Sequence, residues 1–257
     1  MIVDFYKFQG TGNDFIMIDD RGEDFDTEDS VLIKSLCERR FGIGSDGLIL
    51  LQNHEEFDFE MIFFNSTGEK STFCGNGGRC IISFAHLLGI FNKNCKFMAY
   101  DGMHEGSIDK DMVSLKMADV KEVDVREDSV VLDTGSPHLV KLVGNVKTIN
   151  VLNKGKKLRF SKEFGDYGIN VNFAEVNERI SIRTYERGDE MESLSCGTGS
   201  VATAIALYEI GKTDDKEINI HTIGGELKVS FNHDGEKYIN IWLSGESSMV
   251  YSGEFEC

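Results

Sequence analysis

The chain reads as a mixed α/β protein of the α+β type. We expect two pseudo-symmetric lobes, each a curved, mostly antiparallel sheet wrapped around a central buried helix. Three observations predict this. A Cys-Gly-X-Gly segment occurs twice, as Cys74-Gly75-Asn76-Gly77 and Cys196-Gly197-Thr198-Gly199, and each opens an apolar run that stops at a glycine 15 residues past its cysteine. The runs, Ile81 to Leu88 and Val201 to Ile210, are apolar on nearly every face, so each helix has to be enclosed rather than laid on a surface. Much of the remaining chain alternates apolar and polar residues over short stretches, as half-buried strands do.

Taken in order, Met1-Ile2-Val3-Asp4-Phe5 already reads as a strand and has neither the basic region nor the apolar core of a secretion signal. A helix is expected over 29–40. Alternation marks strands at 57–64, 107–117, 216–230 and 239–243, and buried helices are expected over 76–88 and 198–210. The polar segment Asp119-Val120-Lys121-Glu122-Val123-Asp124 suits a boundary, which gives lobes 1–118 and 119–257. The last strand, from about Gly245, could return to the first lobe.

The duplication extends beyond the cysteines. Gly12 of Thr11-Gly12-Asn13-Asp14-Phe15 lies 62 residues before Cys74, and Gly135 of Thr134-Gly135-Ser136-Pro137-His138 lies 61 before Cys196. Asn65 and Arg187 each stand nine residues upstream of their cysteine, and Gly44-Ser45-Asp46-Gly47 has a counterpart in Gly168-Ile169-Asn170-Val171. Two copies are too few for a solenoid, which needs three or more. Two homologous lobes with a site between them is the simpler reading.

A net charge of −17 over 257 residues leaves no basic stripe to meet phosphates, so neither nucleic acid nor an anionic membrane is an expected partner. No stretch approaches the roughly 18 apolar residues of a membrane span, and the cytoplasm is the expected location. Six cysteines, at 37, 74, 80, 95, 196 and 257, lack CxxC or zinc spacing, and a chain this long without a signal is a poor candidate for three disulfides. Cys37, Cys80 and Cys95 read as small apolar packers, and Cys257 as an idle terminal thiol.

The paired thiols carry the chemistry. A cysteine at a helix N-terminus faces unpaired N–H groups and the positive end of the helix dipole, and both stabilise a thiolate. Two such thiols suit inversion at a carbon, because a lone base tends to return a proton to the face it came from. One thiol acts as base and the other as acid. The N–H groups of Gly75, Asn76, Gly197 and Thr198 are placed to hold the substrate carboxylate as carbanion charge builds. This chemistry calls for no organic cofactor and no metal.

At this point the chain resembles the diaminopimelate epimerase family. The resemblance rests on Gly12-Asn13-Asp14-Phe15, Phe64-Asn65-Ser66-Thr67-Gly68, Cys74 to Cys80, Gly135 to His138, Asn170-Val171-Asn172-Phe173, Tyr185-Glu186-Arg187-Gly188 and Cys196 to Gly199, and it spans nearly the whole chain. It implies interconversion of LL- and meso-2,6-diaminopimelate, a step in lysine and peptidoglycan precursor synthesis, by Cys74 and Cys196 as the acid–base pair without a cofactor. By the same resemblance Asn65, Asn170 and Arg187 hold the far end of the substrate. Asn13, Glu186 and His138 lie nearer the reacting centre, Glu186 taking the α-ammonium and His138 tuning a cysteine. The expected partners are the small-molecule substrate and, as an open option, a second copy of the chain in a homodimer. Two positions depart from the family pattern: Ser136 stands where many members carry asparagine, and Gly47 where some carry glutamine.

Other readings stay open at this stage. A proline or hydroxyproline racemase resembles the same two-cysteine plan, but Asn65, Asn170 and Arg187 suit a substrate charged at both ends. A phenazine-pathway isomerase would lack the cysteine pair. A non-catalytic amino-acid-binding protein, or a redox sensor closing a Cys74–Cys196 disulfide, are the alternatives from other classes.

Overall fold

The computed structural model describes residues 2–256; Met1 and Cys257 lie outside the described residues. The chain divides into two compact units, Met1–Leu115 with Gly245–Cys257, and Lys116–Ser244. In the first unit the order is β1 (Ile2–Gly10), β2 (Asn13–Asp19), α1 (Ser30–Cys37), β3 (Gly47–Gln52), β4 (Phe59–Asn65), α2 (Gly75–Leu87), β5 (Asn94–Ala99), β6 (Gly102–Asp109) and β7 (Met112–Lys116). β1 and β2 are antiparallel, β2 and β3 parallel, β3 and β4 antiparallel, β4 and β5 parallel, and β5, β6 and β7 antiparallel. A parallel step needs a crossover, and α1 and α2 supply the two.

The second unit contains β8 (Val123–Val125), β9 (Val130–Asp133), β10 (Pro137–Leu142), α3 (Val151–Arg159), β11 (Asn170–Val176), β12 (Ile180–Tyr185), β13 (Glu192–Ser193), α4 (Gly197–Glu209), β14 (Glu217–Thr222), β15 (Gly225–His233) and β16 (Tyr238–Glu246). Its pairings repeat the first: β9 and β10 antiparallel, β10 and β11 parallel across α3, β11 and β12 antiparallel, β12 and β14 parallel across α4, β14 and β15 antiparallel. The final strand, β17 (Ser248–Glu256), pairs antiparallel with β1 as β8 does with β9, and so lies in the first unit. The repeated motifs are thus the trace of a repeated hydrogen-bond topology.

Helices α2 and α4 are the buried centres. α2 packs on β1, β2, β3, β6 and β17, and α4 on β8 to β11, β14 and β15. In α4 the residues Val201 to Leu207 are all buried. Both helices end in the same way. Gly89 and Gly211 take the left-handed conformation (φ +74° and +66°). Ile90 N–H donates to Ala85 and Gly89 N–H to His86, matched by Lys212 to Leu207 and Gly211 to Tyr208. This paired 6→1 and 5→2 pattern is the Schellman motif, and it explains why each apolar run stops at a glycine.

The other two crossover helices, α1 and α3, cover the other sheet faces. Ile33 and Leu36 of α1 pack with Ile16, Ile18, Leu48 and Leu50, and Val151 and Leu158 of α3 pack with Val171, Phe173 and Tyr185. Strands β2 and β3 are therefore buried on both sides, so they show continuous apolar runs in place of alternation. α1 is shorter than the expected 29–40. It starts at the Asp29 cap, whose carboxylate accepts from Leu32 N–H at 2.9 Å. It ends at Cys37 because the chain turns back through Arg40 (φ +80°), bringing Gly42 against the Ser35 carbonyl. α3 was not expected, since four basic residues and a glycine interrupt its apolar face; Asn150 caps it by accepting from Asn153 N–H at 3.0 Å.

Two glycines separate conformational from steric cost. A Cβ at Gly211 meets nothing within 4 Å, whereas one at Gly155 lies 2.4 Å from Tyr185 Cβ. Gly211→Ala is expected to lower stability by about 1 kcal/mol through the left-handed backbone alone, and Gly211→Asn to recover part of that loss. Gly155→Ala is expected to cost about 1–3 kcal/mol through overpacking, with no relief from asparagine. Urea titrations of the four variants check this; equal recovery by asparagine at both sites would refute the distinction.

Candidate active site

Each cysteine is the N-cap of its unit's central helix, in extended backbone: φ −115°, ψ 121° at Cys74 and φ −119°, ψ 113° at Cys196. The first helical bonds are Gly78 N–H to the Cys74 carbonyl (2.7 Å) and Ser200 N–H to the Cys196 carbonyl (3.0 Å). The N–H groups of Gly75, Asn76 and Gly77, and of Gly197, Thr198 and Gly199, therefore precede the ladder in each first turn, and the Gly199 N–H reaches the Cys196 sulfur.

Around Cys74 the polar residues brace one another. Asn76 Nδ2 donates to Asn13 Oδ1 at 2.6 Å, and Asn13 Nδ2 donates to Asp46 at 2.7 Å. Arg39 links Asp46 (2.9 Å) to Asp14 (3.0 Å), and Lys7 pairs with Asp14 at 2.7 Å while donating to the Gly44 carbonyl. Burial opposes ionisation of Asp14, but Arg39 and Lys7 outweigh it and hold the carboxyl below its ordinary range. Asn65 Oδ1 accepts from Thr67 N–H and Glu69 N–H (2.9 and 3.1 Å), which tightens the turn after β4 and leaves its Nδ2 without an acceptor among the described residues. The wall beneath is apolar: Ile49 and Met61 face Gly77, and Phe15 stacks edge-on to Phe63. Cys80 is fully buried, its thiol pushed up to about 12 by desolvation; Cys37 and Cys95 are buried as well. All three are packers.

Around Cys196 the wall is polar. His138, on β10, is fully buried; its Nε2 lies 2.9 Å from Thr198 Oγ1 and its Nδ1 3.0 Å from Asn172 Nδ2. Thr198 Oγ1 lies 3.6 Å from Cys196 Sγ. Burial, helped by the charge of Arg187, lowers His138 to about 3, so the ring is neutral near pH 7. Desolvation pushes the Cys196 thiol well up and the Glu186 carboxylate, which shares a hydrogen bond with it, adds to that; the Thr198 hydroxyl and Gly199 N–H pull the other way. Cys196 thus rests as a thiol. Burial also raises the Glu186 carboxyl, with Asp189 contributing.

Arg187 is pre-positioned. Its guanidinium sits over the Tyr167 ring at 4.0 Å, and Asn170 Oδ1 accepts from its backbone N–H at 2.8 Å. Asn170 Nδ2 donates to Ser136 Oγ (2.8 Å) and to the Pro137 carbonyl (3.1 Å), while Arg187 Nη2 approaches Ser136 Oγ at 3.5 Å. Ser136 is therefore a strut of this brace. Among the described residues the Arg187 guanidinium has no carboxylate partner. Gly47, the other departure, tolerates no side chain here, since a Cβ would lie 2.6 Å from the Phe64 carbonyl oxygen.

Strand register refines the sequence match. Leu48 pairs with Phe64 and Val171 with Tyr185, so Asn65 corresponds to Glu186 and not to Arg187; the second loop is one residue longer. The same register places Phe15, Ile49 and Phe63 where the second unit has His138, Asn172 and Thr184. Sequence reasoning gave no role to Asp14, Arg39, Asp46, Tyr167 or Asn172. Asp14, Asp46 and Asn172 stood inside the recognised motifs; nothing local marked Arg39 or Tyr167.

The neutral His138 has a thermodynamic consequence. Its unfolded imidazole binds a proton below about 6.5, while the folded one stays neutral down to about 3. The unfolded state then holds more protons across that window, so stability falls as pH drops through it, by up to about 1.4 kcal/mol per unit. Urea midpoints at pH 7, 6 and 5 should fall less steeply in His138→Gln than in the wild type; identical slopes would contradict a neutral buried ring.

Residues 5–122 and 130–250 match the family model for diaminopimelate epimerase. The chain is 49% identical to the diaminopimelate epimerase of Flavobacterium psychrophilum, over 96% of this chain and 97% of that one. It is 40% identical to that of Chlorobaculum tepidum (95% and 98% covered) and 36% identical to that of Aquifex aeolicus (98% and 97%). Solved structures share the fold at low identity. A PhzF-family phenazine biosynthesis protein from Bacillus anthracis superposes with a TM-score of 0.79 at 13% identity, covering both chains fully. A hydroxyproline epimerase from Agrobacterium vitis gives 0.71 at 13%, covering 98% and 92%. With the motifs, the duplicated topology and the full-length relatives in agreement, the chain belongs to the diaminopimelate epimerase family.

Proposed function

We propose that this protein is an isomerase that interconverts LL- and meso-2,6-diaminopimelate, with Cys74 and Cys196 exchanging protons with the same α-carbon. The observation that carries the reading is the identical placement of two thiols, each the N-cap of an enclosed helix, in two units of one topology. Family membership supports the substrate. One sulfur takes the α-proton as thiolate, and the other delivers its own proton to the opposite face. The protonation states of the two sulfurs are then exchanged, which readies the enzyme for the other stereoisomer.

Burial and Glu186 keep Cys196 protonated at rest, so it serves as the acid when Cys74 is the base. In the reverse direction the Thr198 hydroxyl and Gly199 N–H offset the cost of its ionisation. The N–H groups of Gly75, Asn76, Gly197 and Thr198 hold the α-carboxylate, where negative charge builds in the transition state. Arg187 grips the distal carboxylate and Asn65 Nδ2 adds a donor, while Asn13, Asn76 and Asn170 act mainly through the braces described above. Glu186 also takes the α-ammonium in this reading. A cytoplasmic location fits the substrate, and among the described residues no helix is long and apolar enough to cross a membrane.

Proton NMR in deuterium oxide tests the reading, using reduced protein without added cofactor and LL-diaminopimelate or L-proline in separate tubes. Deuterium should enter the α-position of diaminopimelate as the meso form appears, with proline unchanged; exchange in proline alone would assign the racemase activity instead. Cys74→Ala and Cys196→Ala should each lower kcat by at least about a thousandfold. Arg187→Met should lower kcat/KM by about a hundredfold through loss of a two-bonded carboxylate grip. An unchanged value for Arg187→Met would remove that residue from the substrate.

A further inference from the structure

The two half-sites share a backbone plan but differ in the wall beneath the thiol. Under Cys196 the positions held by Phe15, Ile49 and Phe63 in the first unit are taken by His138, Asn172 and Thr184 on three adjacent strands. Three buried polar side chains in a sheet face are costly unless each is hydrogen-bonded, and here each is.

Their hydrogen bonds admit one arrangement of protons. Asn172 reaches the Leu139 carbonyl at 3.3 Å with the same amide end that faces His138, and its other end lies 2.9 Å from Thr184 Oγ1. A carbonyl only accepts, so the end toward Leu139 is the NH2 group and the Thr184 hydroxyl donates to Oδ1. His138 Nδ1 then faces a donor and must be the bare nitrogen. With the ring neutral, the hydrogen lies on Nε2 and is donated to Thr198 Oγ1. That occupies a lone pair of the hydroxyl and leaves its hydrogen for the nearby sulfur. The missing side chain at Gly199 makes room, since a Cβ there would lie 2.4 Å from Asn172 Oδ1.

We propose that Asn172, held by Thr184, fixes the His138 tautomer so that Thr198 turns its hydroxyl hydrogen toward Cys196 Sγ and favours the thiolate when that cysteine gives up its proton. Asn172 and Thr184 are thus positioning residues for one thiol of the pair, with no counterpart beneath the other. The inference rests on the proposed role of Cys196 for its purpose, but not for its geometry. The charged and titratable groups facing this corner are Glu186 against the sulfur, Arg187 acting on His138, and Asp189 acting on Glu186.

The test uses the full-length protein and no diaminopimelate, so it succeeds or fails separately from the epimerase assay. Nitrogen-15 NMR of histidine-labelled protein, with His138 assigned by its loss in His138→Gln, should show a neutral ring carrying its hydrogen on Nε2 at pH 7. A hydrogen on Nδ1, or a charged ring, would overturn the proposal in the wild type alone. Alkylation by iodoacetamide, read peptide by peptide in a mass spectrometer, then follows Cys196 separately from Cys74. In Asn172→Leu the His138 signals should show mixed tautomers, and Cys196 should react about tenfold more slowly at a fixed pH, with Cys74 unaffected. Thr184→Val, which keeps the amide, should shift both readouts in the same direction by less. A tautomer change with an unchanged Cys196 rate would sever the link to the sulfur and refute the role.

Discussion

An α-helix that is apolar all round can be covered on every side, but its first turn cannot be satisfied from within. The N–H groups ahead of the first hydrogen bond need an acceptor, and the dipole gathers positive potential at the same point. α2 and α4 each begin at a cysteine cap in extended backbone, with the N–H groups of the first turn ahead of the first helical bond. The rest of each unit follows from it. Strands wrap the helix because its sides must be dry, α1 and α3 cover the outer faces as the crossovers of the parallel pairs β2/β3 and β10/β11, and the Schellman glycines stop the helix at its other end.

Duplication supplies two such ends, and divergence makes them unequal. Beneath Cys74 the wall is aromatic and aliphatic; the nearby charges are the buried Arg79 guanidinium, which acts on the sulfur, and a brace of Asp14, Asp46, Arg39 and Lys7 that fixes Asn13 and Asn76. Beneath Cys196 a hydrogen-bonded file runs through three strands to the sulfur, and Glu186 sits against the thiol. Inversion of a carbon needs an acid and a base at the same moment, so two identical sites would be a poor starting state. In the proposed mechanism the Glu186 carboxylate, which favours the thiol form of Cys196, resolves the degeneracy by electrostatics without any change in backbone.

The Arg187 guanidinium is held in place by its own neighbours. Arg187 is flattened on Tyr167 and its backbone is tied to Asn170, which is tied in turn to Ser136 and Pro137. A guanidinium held in this way loses little freedom when it meets a carboxylate. At position 136 the serine hydroxyl accepts from the Asn170 amide at 2.8 Å and completes the strut.

Much of this was legible in one dimension. The doubled Cys-Gly-X-Gly, the glycine 15 residues on and the all-apolar runs between them determined the two buried helices, because helix capping and burial are local demands written in adjacent residues. The family followed from the same motifs. α3 was not legible, since its packing depends on a glycine fitting against Tyr185, a residue 30 positions away. The alternation sought for strands failed at β2 and β3, which are buried on both faces. Only the tertiary structure decided which motif residues hold one another. Asn13, Asn76 and Asn170 are the same residue type, but each amide is oriented by partners on other strands or loops. The match of Asn65 with Glu186 likewise came from strand register, not from counting. The sequence by itself determined where the thiols and helices lie along the chain; the polar wall beneath Cys196 exists only where β10, β11 and β12 come into register, because hydrogen bonds between buried side chains are set by three-dimensional neighbours.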